Sequence, residues 1–278
     1  MKEWHPGAFR NHAGCAEPSW VEGSTTKEDI GGMTSWPWMD LGRMAYEKAH
    51  VLQHRLVALL LQECGDGLSA DGPFPFDGVF LVLEHPPVFT LGKRGGREFL
   101  CVDEAWLAEQ GIPIVETERG GFITYHGPGQ LIVYPVVRLR SLGVSVAELV
   151  SGLEEVMIRV LSQWGIEACR NDRNRGVWVG SRKIGSIGIH VRKGIAFHGM
   201  ALNVNTDLTP FTWIEPCGLS GVSMTSIREM TGDEVPMALV RQRTIAAVEN
   251  VFGIRLHEFP LASPTKNPWV PTVEEVLS

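Results

Sequence analysis

The sequence predicts an α+β domain, a mixed sheet with packed helices, on three observations. Between Val177 and Val204 three strand-like runs follow one another, separated only by Gly180-Ser181 and Arg192-Lys193-Gly194, which is hairpin spacing. Helical patterns are few and stand apart from these strands, whereas a doubly wound parallel sheet alternates strand with helix throughout. The 278 residues are 44% hydrophobic and 21% charged, enough to bury one substantial core without a disordered majority.

The elements follow in order. Residues 1–35 are rich in Gly, Ser, Thr, Glu and His without a period and read as a flexible extension. From Asp40, placed as an N-cap, Leu41, Met44, Ala45, Leu52, Leu56, Leu59 and Leu60 recur near the helical period and predict a core-facing helix. A Pro- and Gly-rich loop over 65–78 leads to a buried strand at 79–83, which Pro86 and Pro87 end. A short extended piece at 88–92, a basic glycine loop at 93–97, a helix at 103–110 and a strand at 112–116 come next. Strands at 122–126 and 131–137 are joined at Gly127-Pro128-Gly129-Gln130, where Pro and Gly match a type II turn. Val146, Leu149, Val150, Leu153, Met157, Val160, Leu161 and Trp164 mark a second amphipathic helix, expected to pack across the sheet. Strands at 177–179, 183–191 and 195–204, an irregular segment and a final helix at 235–252 complete the pattern. The domain reading is an extension at 1–35, a folded domain at 36–258 and a tail at 259–278.

A formal net charge of −7 argues against a nucleic-acid binder that works by bulk positive charge. No run is apolar enough to span a bilayer, and the N-terminus lacks the basic and apolar regions of a secretory signal. The five cysteines, Cys15, Cys64, Cys101, Cys169 and Cys217, form no CxxC pair, which fits neither a disulfide framework nor a zinc site. A reducing cytoplasm is the expected location.

Cys217 stands between Pro216, whose ring fixes φ, and Gly218, which tolerates any φ. That setting puts a sulfur on a turn, beside backbone N–H groups that can face a ligand. A thiol with the reference pKa of about 8.5 is only about 3% thiolate at pH 7, so a nucleophilic cysteine benefits from a nearby cation. Lys183, between Gly180 and Gly185 with Ser186 and Gly188 beyond, is the candidate. At about 4 Å and an effective dielectric of about 20 such a charge is worth roughly 4 kcal/mol. The alternatives are a solvent-facing strand lysine and a small buried apolar cysteine.

Arg119-Gly120-Gly121-Phe122-Ile123-Thr124-Tyr125-His126 combines glycines that admit a ligand to the backbone with polar groups on Thr124, Tyr125 and His126. It reads as a binding platform, or else as a hairpin whose glycines serve geometry. The absence of a GxxxxGK[ST] run excludes a P-loop. His126 and His198 stand alone, as structural hydrogen-bonders usually do, and no metal is assigned to them; His198 is kept as an auxiliary base. Arg170, Arg173, Arg175, Arg182, Arg192 and Lys193 crowd one stretch, either a solvated face or a dock for an acidic protein or a phosphate-bearing arm.

Five motifs carry a resemblance. They are Glu84-His85-Pro86-Pro87-Val88-Phe89-Thr90-Leu91-Gly92; Arg119-Gly120-Gly121 with Thr124-Tyr125-His126-Gly127-Pro128-Gly129-Gln130; Gly180-Ser181-Arg182-Lys183-Ile184-Gly185-Ser186-Ile187-Gly188; His198-Gly199-Met200-Ala201-Leu202-Asn203-Val204; and Pro216-Cys217-Gly218. In order and spacing, over about residues 40–252, they closely resemble the lipoyl(octanoyl) transferase family.

The resemblance implies the fold of the biotin/lipoate protein ligase catalytic domain. It also implies an acyltransferase that moves an octanoyl group from acyl carrier protein, through a cysteine thioester, to a lysine of lipoyl-accepting domains in protein lipoylation. Cys217 would then carry the acyl group and Lys183 lower its pKa. The acyl-binding segments would be Arg119 to His126, Ser186-Ile187-Gly188 and Gly199-Met200-Ala201. No cofactor is expected, since phosphopantetheine arrives on the carrier protein. The implied partners are acyl carrier protein, lipoyl domains of 2-oxoacid dehydrogenase E2 subunits and the glycine cleavage H protein, with neither nucleic acid nor membrane. The rival readings are an ATP-dependent lipoate/biotin-type ligase on the same fold and a non-catalytic acyl-carrier-binding module.

Overall fold

The computed structural model describes residues 35–62, 76–171, 174–215 and 222–259. The N-terminal extension through residue 34, most of the 65–78 loop, Arg173, the Pro216-Cys217-Gly218 motif and the tail from residue 260 lie outside the described residues.

The chain forms β1 (Ser35–Arg43), α1 (Tyr46–Gln62), β2 (Gly78–Glu84), β3 (Val88–Leu91), α2 (Glu104–Glu109), β4 (Ile114–Glu116), β5 (Thr124–His126) and β6 (Gln130–Arg138). It continues with α3 (Leu139–Leu142), α4 (Val146–Ser162), β7 (Cys169–Arg170), β8 (Val177–Val179), β9 (Arg182–Arg192), β10 (Ile195–Asn203), β11 (Ser223–Met224), α5 (Ile227–Thr231), α6 (Met237–Phe252) and β12 (Arg255–Glu258). Among the described residues the main sheet runs β12-β1-β2-β6-β10-β9-β8-β7, with β11 beside β9, and a small sheet runs β4-β3-β5. Parallel pairing at β12-β1-β2 and antiparallel pairing from β2 through β7 make the main sheet mixed.

The central strands are apolar on both faces because both faces are covered. On β2, Phe80 and Val82 enter the core under α4 and α6, while Val79, Leu81 and Leu83 enter the core under α1. Each large aliphatic side chain fully buried there contributes about 1.5–3 kcal/mol. The apolar stripe of α4 produces the expected helix, and its start is capped reciprocally. Ser145 Oγ accepts the Glu148 N–H at 3.2 Å, and Glu148 Oε2 accepts the Ser145 N–H at 2.7 Å. A third core, with Phe89, Leu107, Ile123, Tyr125, Phe211 and Ile214, holds the small sheet.

Two expectations are corrected. The first helix starts at Tyr46, not Asp40; residues 35–43 are the strand β1, with Trp36, Met39 and Leu41 buried. Asp40 Oδ1 accepts the Gly42 N–H at 2.9 Å, so it caps a local turn and no helix. The Gly127-Pro128-Gly129-Gln130 turn forms, with Gln130 N–H donating to Gly127 O at 3.1 Å, but its flanking strands do not pair. β5 pairs with β3 in the small sheet, and β6 lies between β2 and β10 in the main one. The turn therefore passes the chain from one sheet to the other. Among the described residues no helix is long and apolar enough to cross a membrane.

Candidate active site

A cavity of about 660 Å³ opens along β9 and β10, between the segment leading into β5 and the start of α4. It brings together most of the side chains singled out in the sequence: Arg119, Gly120, Gly121, Phe122, Ile123, Thr124 and His126; Lys183, Ser186, Ile187 and Gly188; His198, Gly199, Met200 and Ala201. Its volume lies within the range of small-ligand sites. Tyr125 is not in its wall. Side chains alternate along β5, so Thr124 and His126 reach the cavity while Tyr125 packs on Phe89 and Phe211, with ring centroids 5.3 and 5.5 Å away.

Arg119 is buried and fastens its own loop. Its guanidinium donates to Thr90 Oγ1 at 2.7 and 2.9 Å, to Thr90 O, and to Gly120 O at 3.0 Å. Gly120 N–H in turn donates to Ile189 O at 3.2 Å, bringing the loop against β9. Gly188 permits that approach, since a Cβ there would stand 2.9 Å from Gly120 O.

Lys183, on β9, is 2% exposed. Its Nζ donates to Asn174 Oδ1 at 2.7 Å and to Arg175 O at 2.9 Å, and lies 5.6 Å from the Trp178 ring centroid. Gly176, at φ 124°, supplies the space: a Cβ there would meet Lys183 Cε at 2.7 Å. The buried Glu154 accepts the Gly176 N–H at 2.9 Å and so sets the turn that carries Asn174 and Arg175.

The histidines beneath the cavity are neutral. His85 Nδ1 donates to Met44 O at 2.7 Å because a carbonyl only accepts, which leaves Nε2 to accept the Tyr134 hydroxyl at 2.9 Å. Burial pushes the His85 pKa down to about 4; burial, then the repulsion two protonated rings would feel between His85 and His126, then the Arg119 charge hold His126 well below the ordinary value. His126 Nδ1 donates to Gln130 Oε1 at 2.7 Å. Arg119 and Lys183 thus give the cavity wall a positive field that these imidazoles do not add to.

His198 occupies the left-handed region at φ 57°, which is unfavourable for a residue with a Cβ. On β10, Ala196, Met200 and Leu202 face the α4 side and Ile195, Phe197 and Ala201 the α1 side. Alternation would send His198 toward α4, yet its ring stacks on His50 of α1 and on Phe197, at 5.5 and 5.1 Å between centroids. The strained backbone re-aims the ring, and it brings His198 to Glu118, His50 and His54. Sequence reasoning missed that group, although the spacing of His50 and His54 by four on one helical face was visible.

A family model described as the lipoyl protein ligase A/B catalytic domain matches residues 60–249. An octanoyltransferase of Desulfotalea psychrophila is 47% identical over 217 residues, spanning 77% of this chain and 93% of that one. Another, of Syntrophobacter fumaroxidans, is 44% identical over 197 residues, spanning 71% and 82%. The chain belongs to the octanoyltransferase family. A bi-partite lipoate protein ligase from Thermoplasma acidophilum superposes with a TM-score of 0.64 over 88% of this chain and 91% of its own, at 17% identity. A lipoate-protein ligase A bound with ATP gives 0.63 over 88% and 93%, at 16% identity. At these identities the likeness is one of fold, and it is the α+β fold expected from the sequence.

In this octanoyltransferase the basic stretch is not one free positive face. Arg170 pairs with Glu155 at 2.6 Å and with Glu154 at 3.6 Å, and Arg182 pairs with Glu229 at 2.9 Å. Arg192 and Lys193 are exposed at the β9–β10 turn. Arg175, with a side chain 63% exposed, and the exposed Arg94 are the arginines that both line the cavity and reach solvent. Cys169, on β7, is half-buried and pairs in register with Trp178.

Proposed function

We propose that this octanoyltransferase moves its acyl group in two steps through a thioester on Cys217, with Lys183 as the cation that favours the thiolate and later as the base. Acyl carrier protein is the donor, and the acceptors are lysines of the lipoyl domains of 2-oxoacid dehydrogenase E2 subunits and of the glycine cleavage H protein. The reading places the enzyme in the cytoplasm.

One observation carries the reading: a buried lysine shares a single cavity with Arg119 to Thr124, Ser186 to Gly188 and Gly199 to Ala201. The chain flanking Cys217 supports it. Upstream, Glu215 N–H donates to Phe99 O at 2.8 Å; downstream, Met224 pairs with Lys183 and Thr225 N–H donates to Lys183 O at 2.9 Å.

In the first step the Cys217 thiolate attacks the octanoyl carbonyl, and the phosphopantetheine thiolate leaves and takes a proton. In the second, the acceptor amine attacks the Cys217 thioester, an amide forms and the Cys217 thiolate leaves. A free lysine has a pKa of about 10.4, so about one in 2,500 is neutral at pH 7 and the step needs a base. Acylation removes the negative charge from Cys217, so the Lys183 ammonium loses its electrostatic support and the neutral amine becomes accessible.

The test is the intact mass of the protein after incubation with octanoyl carrier protein and no ATP. One octanoyl adduct, released by hydroxylamine and absent from Cys217→Ser, is expected. Acylation only in the presence of ATP would identify a ligase instead. An adduct retained in Cys217→Ser and lost in a folded Cys169→Ser would move the nucleophile.

A further inference from the structure

Four side chains meet beside the cavity without a consistent set of hydrogen bonds. His50 and His54 project from one face of α1, one turn apart; Glu118 precedes Arg119; His198 comes from β10. His50 Nε2 lies 2.9 Å from Glu118 Oε2, His54 Nε2 2.7 Å from Glu118 Oε1, and the two imidazole nitrogens are 3.0 Å from each other. If His50 Nε2 carries the proton it donates to Glu118 Oε2, His54 Nε2 either opposes it with a second proton or sets a lone pair 2.7 Å from Glu118 Oε1, a buried oxygen with no hydrogen-bond partner. His198 Nε2 stands 3.6 Å from Glu118 Oε1, and neither of its ring nitrogens, both buried, has a hydrogen-bond partner. Buried polar atoms are rarely left in this condition.

The distances suit a shared cation. Imidazole nitrogen and carboxylate oxygen bind zinc at about 2.0–2.2 Å, which sets tetrahedral ligand atoms about 3.4 Å apart. Here one ring nitrogen of His50, a Glu118 oxygen and one ring nitrogen of His198 all lie within 4.8 Å of one another. A donor set of imidazoles with one carboxylate selects the later divalent transition metals over magnesium or calcium. We propose that His50, Glu118 and His198 bind one divalent transition-metal ion, zinc by choice of donors, with His54 orienting Glu118 and a fourth position left open.

The ion accounts for one of the two unpartnered nitrogens of His198 and for the crowding of His50 and His54. It uses His198 Nε2 as a ligand atom, and His50 turns a lone pair to it, which leaves the His54 N–H unopposed. It also ties α1 to two cavity walls, through Glu118 to the Arg119 loop and through His198 to Gly199. The guanidinium of the buried Arg119 is bound to Thr90 and Gly120, and its positive charge reaches His198.

The experiment uses the full chain carrying Cys217→Ser, so that the proposed reactive thiolate is not a ligand. The protein is stripped with a chelator and titrated with zinc against a chromophoric competitor, and thermal unfolding is followed with and without zinc. One zinc per chain and a raised melting temperature are expected. His50→Ala and Glu118→Gln, each checked for folding by circular dichroism, should weaken zinc at least about 100-fold and abolish the thermal shift. His54→Ala, the loss of an outer partner, should cost about 10–100-fold. Cobalt in place of zinc should show the visible absorption of a tetrahedral site. Failure to bind one equivalent, or equal affinity in the parent and in both His50→Ala and Glu118→Gln, would overturn the proposal whatever the transfer activity.

Discussion

Gln53 Oε1 accepts the backbone N–H of His198 at 2.7 Å, so a side chain of α1 holds a left-handed residue in the middle of β10. Both residues are buried, and the bond joins a helix to a strand far away in sequence. Without the acceptor, the buried His198 N–H loses its partner and the strained φ loses its support. Gln53→Leu, similar in volume, should therefore cost about 1–3 kcal/mol. Urea unfolding should show a lower midpoint with an unchanged slope; a loss below about 0.5 kcal/mol would mean that the bond does not hold the strand.

Lys183 depends on Asn174 and on the tight turn at Gly176 for its position. Lys183→Met keeps the length and removes the charge, and should move the pH midpoint of Cys217 alkylation upward. Asn174→Ala keeps the charge and loosens its hold, so a smaller shift in the same direction is expected. Iodoacetamide rates across pH, with the cysteines other than Cys217 replaced by serine, give both numbers. Coincident curves for wild type and Lys183→Met would remove the electrostatic role.

What could be read from the sequence was local. The stripe from Val146 to Leu161 needs no partner to be recognised as a helix, and the turns at Gly180 and Gly194 announce the strands β8 to β10. β1 was hidden because Leu41, Met44 and Ala45 suit a strand end or a helix start. The parallel register with distant partners, such as Ser35 with Arg255, decides between them. Tyr125 was grouped with its polar neighbours because residue type was read without the alternation that turns it to the other face. The metal-binding candidates were out of reach for a related reason: the His50 and His54 spacing is local, but Glu118 and His198 join it only once α1 lies across β10.

Acid should weaken the fold through His85. The unfolded side chain titrates near 6.5 and the native one near about 4, burial being the cause. Between those values the unfolded chain holds the extra proton, so stability is full above pH 6.5, falls with pH toward 4 and levels off below. The contribution is at most about 3 kcal/mol. Urea midpoints at pH 7, 6 and 5 should fall, and less steeply in His85→Gln; identical slopes would show that His85 is not the acid-sensitive group.

Carrier-protein docking is expected at Arg94 and Arg175. Arg170 and Arg182 pair with Glu155 and Glu229 away from the cavity wall, whereas Arg175, although 3.7 Å from Glu154, keeps most of its side chain in solvent at the wall. Arg94→Glu and Arg175→Glu should raise KM for acyl carrier protein and flatten its salt dependence with kcat nearly unchanged, because rim charges act on encounter. Arg170→Glu should instead lower stability by setting a third carboxylate beside Glu154 and Glu155, which keep only Arg175 and Arg159. Equal KM values in all three variants would dispose of this docking face.

Chain length tests the acyl cavity itself. Each buried methylene is worth about 0.8 kcal/mol, so hexanoyl should be used roughly fifteenfold less well than octanoyl if the cavity holds the whole chain. Met200 forms part of the wall while being 1% exposed and packed in the core beneath α4, so that part of the wall is rigid. Decanoyl should therefore be penalised by overpacking. Met200→Ala should relieve the penalty, at a cost in stability of about 2–5 kcal/mol, because the removed atoms also support the core. The readout must be the ratio of products from hexanoyl, octanoyl and decanoyl carrier protein competing in one tube, since a partly unfolded variant lowers all three rates together and leaves the ratios intact. Equal use of the three donors by the wild type would show that the acyl chain does not lie against Met200.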